Sequence, residues 1–225
     1  MTLIELINHD LPILKPTDSV GQALDWMEEN RIGQLVVADA DQYLGIVGED
    51  TLLDFDESDL ISEIQPQLME VFVSDYEHIY ESLNLISKHG LQVVAILNSE
   101  KRILGTITAN EVYKNFSELL GTSEVGAVLV VSLKNRDYSL SEISRLIEGD
   151  NAKVLSSYYS GNTHADPLDE ENAAKLTLKL NRENISSIVA TLERFGYMVE
   201  ATYSHEPIES VEQERYDMLM KYLSI

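Results

Sequence analysis

The chain has 225 residues, 44% of them apolar, no cysteine and a formal net charge of −23 at pH 7. The length admits one large domain or two small ones, and the missing cysteine excludes disulfides, thiolate metal sites and thiol nucleophiles together. Charge of this sign repels phosphate backbones and anionic lipid, so neither nucleic acid nor membrane is expected as a partner.

The charge is uneven. Residues 1–66 hold 15 Asp and Glu against Lys15 and Arg31, a balance of −13. Residues 67–120 hold 7 against 4, or −3, and residues 121–225 hold 17 against 10, or −7. Glu5 and Asp10 stand where a signal peptide needs a basic region, and apolar runs such as Ala127 to Val131 fall far short of the about twenty residues of a membrane span. The expectation is a cytoplasmic protein.

In chain order, Leu3 to Ile7 is a short apolar helical patch, and Pro12 to Lys15 is an extended segment. Thr17-Asp18-Ser19 suits the start of a helix spaced by Val20, Leu24 and Met27. A strand over Gln34 to Ala38 leads through the polar turn Asp39-Ala40-Asp41-Gln42 into a second strand. That strand carries Gly45-Ile46-Val47-Gly48-Glu49-Asp50, and a helix closes the segment. The same order then returns. Leu60 to Ile64 is the patch, Val71 to Ser74 the extended segment, and Asp75-Tyr76-Glu77 the helix start. Ile79, Leu83 and Ile86 follow Val20, Leu24 and Met27 at a distance of 59 residues. The strand Gln92 to Leu97, the turn Asn98 to Lys101 and Gly105-Thr106-Ile107-Thr108-Ala109-Asn110 complete the copy. Each copy reads as β-α-β-β-α. A period near sixty residues is too long for a solenoid, in which units touch only their neighbours. The copies are therefore expected to close face to face into one domain with clefts between them.

Residues 121–124 read as a linker, after which the pattern changes. Val128 to Leu133 is a strand, a helix begins at Ser139, and Ala152 to Ser160 is a second strand. Leu176, Leu178 and Leu180 alternate along a third strand. Ile185, Ile188, Val189 and Leu192 mark a helix stopped at Gly196, and Met198 to Tyr203 is the last strand. This β-α-β-β-α-β order predicts a ferredoxin-like domain, with 162–172 as the loop between its middle strands. Tyr216, Leu219, Met220 and Leu223 give the tail the spacing of an amphipathic helix. The expected fold class is α+β. The expected domains are 1–120 (copies about 1–58 and 59–120), 125–203 and a tail at 204–225.

The openings Leu11 to Val20 and Val71 to Ile79, with the two glycine turns, resemble CBS domains in a tandem pair, the Bateman module, over roughly residues 1–120. Residues 125–203, with Lys134 to Leu140 between strand and helix, resemble an ACT domain. The combination is similar to bacterial acetoin-utilisation-type CBS proteins. The resemblance implies a ligand-sensing regulator that binds an adenosine-type ligand: AMP, ADP, ATP or an S-adenosyl compound. It also implies a homodimer or higher closed oligomer, and a regulated protein as partner. The turn pattern of such domains is Gly-apolar-apolar-Thr/Ser-x-x-Asp, with the hydroxyl on a phosphate and the acid across the ribose hydroxyls. By this pattern the first turn keeps Asp50 and has Gly48 in the hydroxyl place. The second turn, opened by Gly105, keeps Thr108 and has Asn110 in the acid place. Gly48, Asp50, Gly105, Thr108 and Asn110 are the candidate ligand-binding residues, with the second copy favoured because the −13 of residues 1–66 repels a polyphosphate unless Mg²⁺ accompanies it. Tyr138 occupies the place of the glycine that lets ACT domains receive an amino acid.

Other readings compete with these. Asp50 and Thr108 also suit helix caps, and the chain would then be a dimeric protein-interaction module with decayed ligand sites. The acidic run Glu49-Asp50, Asp54, Asp56-Glu57, Asp59 and Glu63 lacks the glycine and terminal acid of a calcium loop and reads as a solvated linker. The histidines His9, His78, His89, His164 and His205 show no ligand spacing, so no metal is assigned. Ser156 to Ser160 reads as a strand with an exposed edge, Trp26 as core or interface. No catalytic residue is assigned, and an enzyme is not expected.

Overall fold

A computed structural model describes residues 3–64, 68–134, 139–161, 173–204 and 220. The chain divides into two compact units, Met1–Phe116 and Ser117–Ile225, so the expected linker at 121–124 falls inside the second.

The first unit is built twice from one plan. A 3-10 turn, Leu3–Leu6, precedes helix α1 (Val20–Asn30), strands β1 (Gln34–Asp39) and β2 (Gln42–Gly48), and a single helical turn, α2 (Glu49–Leu52). A second short turn, α3 (Ile61–Ile64), precedes β3 (Phe72–Ser74), α4 (Ile79–His89), β4 (Val93–Leu97), β5 (Ile103–Thr108) and α5 (Ala109–Leu119). The apolar spacing that predicted α1 and α4 buries Val20, Ala23 and Met27 in one and Ile79 and Ile86 in the other. Ser19 caps α1 by accepting from the Gln22 amide. The cap of α4 lies one residue beyond the expected group. His78 accepts there from Tyr80 N–H, while Glu77 accepts from Ser74 N–H.

Register repeats as faithfully as element order. Val73 pairs in parallel with Ile96, and Leu14 pairs in parallel with Val37 at the same offset. The first copy's leading strand is thus reduced to one bridge, with Leu14 N–H donating to the Val36 carbonyl. Both hairpins shift register at the corresponding point, between Val37 and Ala38 and between Ile96 and Leu97. Helices α1 and α4 each end on a left-handed residue, Arg31 at φ 52° and Gly90 at φ 63°. Glycine takes that conformation freely, whereas a residue with a Cβ stores about 1–2 kcal/mol there.

The copies are fastened by exchange. The segment before each copy lies on the second hairpin strand of the other, as Asn8 bridges Thr106 of β5 and Met69 bridges Ile46 of β2. Each bridge sits beside a glycine that leaves room for the strap. A Cβ on Gly45 would stand 2.7 Å from Leu68 Cβ, and one on Gly105 would run into the Ile7 side chain. The acidic linker is solvated in its side chains, but its backbone docks. The carbonyls of Asp59 and Glu57 accept from Val20 and Gly21 N–H, orphan donors of the first turn of α1. One core, including Leu14, Leu35, Leu52, Ile61, Ile64, Ile96 and Ile107, runs through both copies, with Trp26 packed against it.

The second unit comprises β6 (Val128–Lys134), α6 (Leu140–Glu148), β7 (Val154–Ser160), β8 (Ala173–Leu180), α7 (Ser186–Arg194) and β9 (Met198–Tyr203). Its antiparallel sheet runs β7-β8-β6-β9, the strand order of a ferredoxin-like fold. Leu129, Val131, Leu133, Leu176, Leu178 and Leu180 point to one face and join Ile143, Ile147, Ile188 and Leu192 of the helices in a second core. Ser139 caps α6 as its position predicted. The predicted loop 162–172, Tyr138 and, save for the helical and exposed Met220, the amphipathic tail lie outside the described residues.

Tyr43 shows how burial enters the stability of the first unit. Its ring meets Phe72 edge-on and its hydroxyl donates to the Val71 carbonyl at 2.6 Å. Burial, more than the nearby Glu70, pushes its pKa well above the usual 10. The folded state therefore keeps a proton that the unfolded chain releases near pH 10. This contribution is fully present below pH 10 and is lost as pH rises past it. Tyr43→Phe should lower stability near pH 7 by about 1 kcal/mol through the lost hydrogen bond. It should also flatten the decline above pH 10, as read from urea unfolding curves over pH 7 to 11.

Candidate ligand site

The two glycine turns hang from one seam between the copies. Gly48 ends β2 opposite Gln34, and Thr108 ends β5 opposite Val93. Glu49 N–H donates to the Gly33 carbonyl and Ala109 N–H to the Gln92 carbonyl, each at 2.9 Å. Those acceptor residues are themselves joined. Gly33 N–H donates to Gln92 Oε1 at 2.7 Å, and Gln92 N–H donates to Gln34 Oε1 at 2.8 Å. Both turns are thereby tied by hydrogen bonds to the junction of the copies. This junction was not singled out from the sequence. A glutamine near the start of each strand, Gln34 and Gln92, was the only sign of it.

The second turn is closed upon itself. Thr108 N–H and its hydroxyl both donate to Glu111 Oε2, at 2.8 and 3.0 Å, and Glu111 N–H returns a bond to Thr108 Oγ1 at 3.2 Å. This is a capping box, which satisfies two orphan amides of α5 reciprocally. Glu111 Oε1 also accepts from Asn8 of the exchanged strap at 2.7 Å. The hydroxyl-x-x-acid spacing from Thr108 arrives at Glu111, one residue beyond Asn110, which stands exposed in the first turn of α5. Glu111 was missed although Thr-x-x-Glu before an apolar residue is itself a helix-start signature. Gly105 is buried under Ile7, so its lack of a side chain serves packing.

The first turn is open. Gly48 caps α2 with extended backbone and no side-chain bond, and Asp50 is exposed. Three residues beyond Gly48 stands Thr51, so the hydroxyl and acid places are not both filled here. Beside this turn lies a pocket of about 710 Å³, walled by Leu24, Met27 and Ile32, by Leu53 after α2, and by Gln92 of the second copy. Asp25, Glu28, Glu49 and Glu57 line it against the single cation of Arg31, the residue held in the left-handed conformation. None of Gly48, Asp50, Gly105, Thr108 and Asn110 lines this pocket. Among the described residues no group of three carboxylates, histidines or cysteines is placed to hold a metal ion.

The family model described as CBS domain matches residues 3–58. Residues 3–58 thus match a CBS domain, and the element plan of those residues returns over residues 61–119. A CBS domain pair/ACT domain protein from Thermotoga maritima is 20% identical over 53% of this chain and 99% of its own, with a TM-score of 0.49. The CBS domains of a transcriptional regulator from Streptococcus pneumoniae are 21% identical over 51% and 98%, with a TM-score of 0.45. A CBS domain protein from Pyrobaculum aerophilum complexed with AMP is 16% identical over 49% and 89%, with a TM-score of 0.43. No helix among the described residues is long and apolar enough to cross a membrane.

Thr108→Ala removes both hydroxyl bonds of the capping box. It should destabilise the first unit by about 1 kcal/mol, whereas Thr108→Ser should be near neutral. Urea unfolding of the two variants measures the difference.

Proposed function

We propose that the CBS pair is a ligand-sensing regulatory module, not a catalyst, and that its ligand carries an adenosine moiety. The observation that carries this reading is the pocket beside the first turn, whose walls come from both copies and meet at the Gly33–Gln92 seam. A molecule seated there touches the junction itself. It binds more tightly to one arrangement of the copies than to another, and this differential affinity is the physical source of a signal. Carboxylates suit ribose hydroxyls, since one carboxylate accepts from two adjacent O–H groups. The same carboxylates oppose a bare polyphosphate. Among AMP, ADP, ATP and S-adenosyl compounds, the uncharged or cationic ends fit this pocket better, and ATP would need Mg²⁺ to enter.

A thermal-shift series on the full chain tests this. S-adenosylmethionine or AMP should raise the midpoint in proportion to the logarithm of its concentration, and ATP without Mg²⁺ should do so less. Gln92→Ala should weaken the shift about ten-fold in apparent affinity if the pocket is the site. A series without any shift would favour the second reading, a protein-interaction module. That reading draws on the second turn, where Thr108 and Glu111 are already committed to each other and to Asn8.

The second unit is read as ACT-like, serving dimerisation or a second small-ligand site. Among the described residues its sheet ends in two edge strands, β7 and β9. Edges of this kind are ordinarily covered, and pairing with a second copy of the chain is the simplest cover. Light scattering at micromolar concentration should give at least twice the 25.3 kDa of one chain. A monomer mass would refute the oligomer.

A further inference from the structure

The face of the second unit's sheet that lies away from its helices carries a concavity at one end. Val128, Lys179 and Ser156 stand in one row across β6, β8 and β7, and Thr177 pairs with Tyr158 in the next row. With Leu120 and Thr122 they enclose about 300 Å³. The wall is held by hydrogen bonds and does not depend on a ligand to form. Ser156 Oγ donates to the Leu120 carbonyl at 2.7 Å, and the hydroxyls of Ser117 and Thr122 bond to each other.

Two lysines of β8 share this face and differ in one respect. Lys175 is paired with Glu200 of β9. Lys179 meets no carboxylate among the described residues, and its Nζ donates one bond, to the Gly126 carbonyl at 3.2 Å. An ammonium has three donors, so two have no partner among the described residues, beside a concavity also lined by Leu120, Thr122, Val128, Ser156, Tyr158 and Thr177. A half-buried cation with no counter-charge among the described residues, between apolar side chains and the Thr177 hydroxyl, is complementary to an anion with an apolar body. The volume is roughly that of ten waters, which limits the occupant to a compact molecule.

We infer that this concavity is a binding site for a small apolar monocarboxylate, its carboxylate on Lys179 and its body against Leu120, Val128 and Tyr158. The inference rests on the reading of the second unit as a ligand-binding module and is independent of the nucleotide reading of the first.

Calorimetric titration of the full chain with sodium benzoate, benzamide and leucine tests it. Benzoate should bind saturably, and benzamide, of the same shape without the charge, about ten-fold more weakly or worse. Lys179→Met keeps the aliphatic stem and should cost benzoate about ten-fold. Val128→Phe leaves the charge in place and should abolish binding by filling the concavity, with circular dichroism confirming that both variants are folded. Equal binding of benzoate and benzamide, unchanged binding in Lys179→Met, or no saturable benzoate binding would each overturn the site. Leucine binding that ignores both variants would overturn it as well, while sparing the reading of the unit as a ligand-binding module.

Discussion

The first unit depends on an exchange of backbone between its two copies. Each copy is preceded by a strap that does not stay at home. Ile7 and Asn8 lie on β5, and Leu68 and Met69 lie on β2. Because the straps cross, neither copy can complete its hydrogen bonding alone, and the pair folds as one body with one core. Gly45 and Gly105 are needed because the strap's side chain occupies the space where a Cβ would be. The glycine signature that marks each copy in the sequence is therefore first a packing device. Any ligand role for these turns is built on top of it.

The same exchange makes the two turns unlike. In the second copy the strap residue Asn8 reaches Glu111, and Glu111 closes on Thr108, so the polar groups of that turn satisfy one another. In the first copy a glycine replaces the threonine. The turn makes no side-chain cap, and α2 lasts a single turn. The pocket opens on that side. Two halves with one plan thus differ at their turns, one closed on itself and one open. At the end of α1, Arg31 holds the left-handed conformation for which α4 uses Gly90.

The second unit solves its packing problem on one face only. Six strand leucines and valines meet the helices, and the other face carries Val128, Val130, Ser156, Tyr158 and Thr177 with the β8 lysines Lys175 and Lys179. An antiparallel sheet can leave one face to water, so the fold requires no cover there. Charge is therefore the informative feature of that face. Lys175 has a carboxylate partner in Glu200 and Lys179 has none among the described residues.

Periodicity was enough to reveal the repeat, the helices α1 and α4, the alternating strand β8 and the β-α-β-β-α-β order, because each depends on which residues within a few positions can share a face. Caps were legible to within a residue: Ser19 and Ser139 by type, His78 missed because histidine is an uncommon cap. The polar site was less legible. Thr108 was read as a ligand residue or a helix cap, and its hydrogen-bond partner Glu111 was passed over, although the capping-box spacing was there to be read. Nothing in the sequence could show that Asn8 would reach Glu111 across 103 residues, or that Gln92 and Gly33 would bond across 59. Local pattern by itself determined the elements and their order, since those follow from spacing along the chain. The bond that ties the closed turn to the crossed strap, and the Gly33–Gln92 bond beside the pocket, were decided by tertiary structure, because they join residues that no local rule relates.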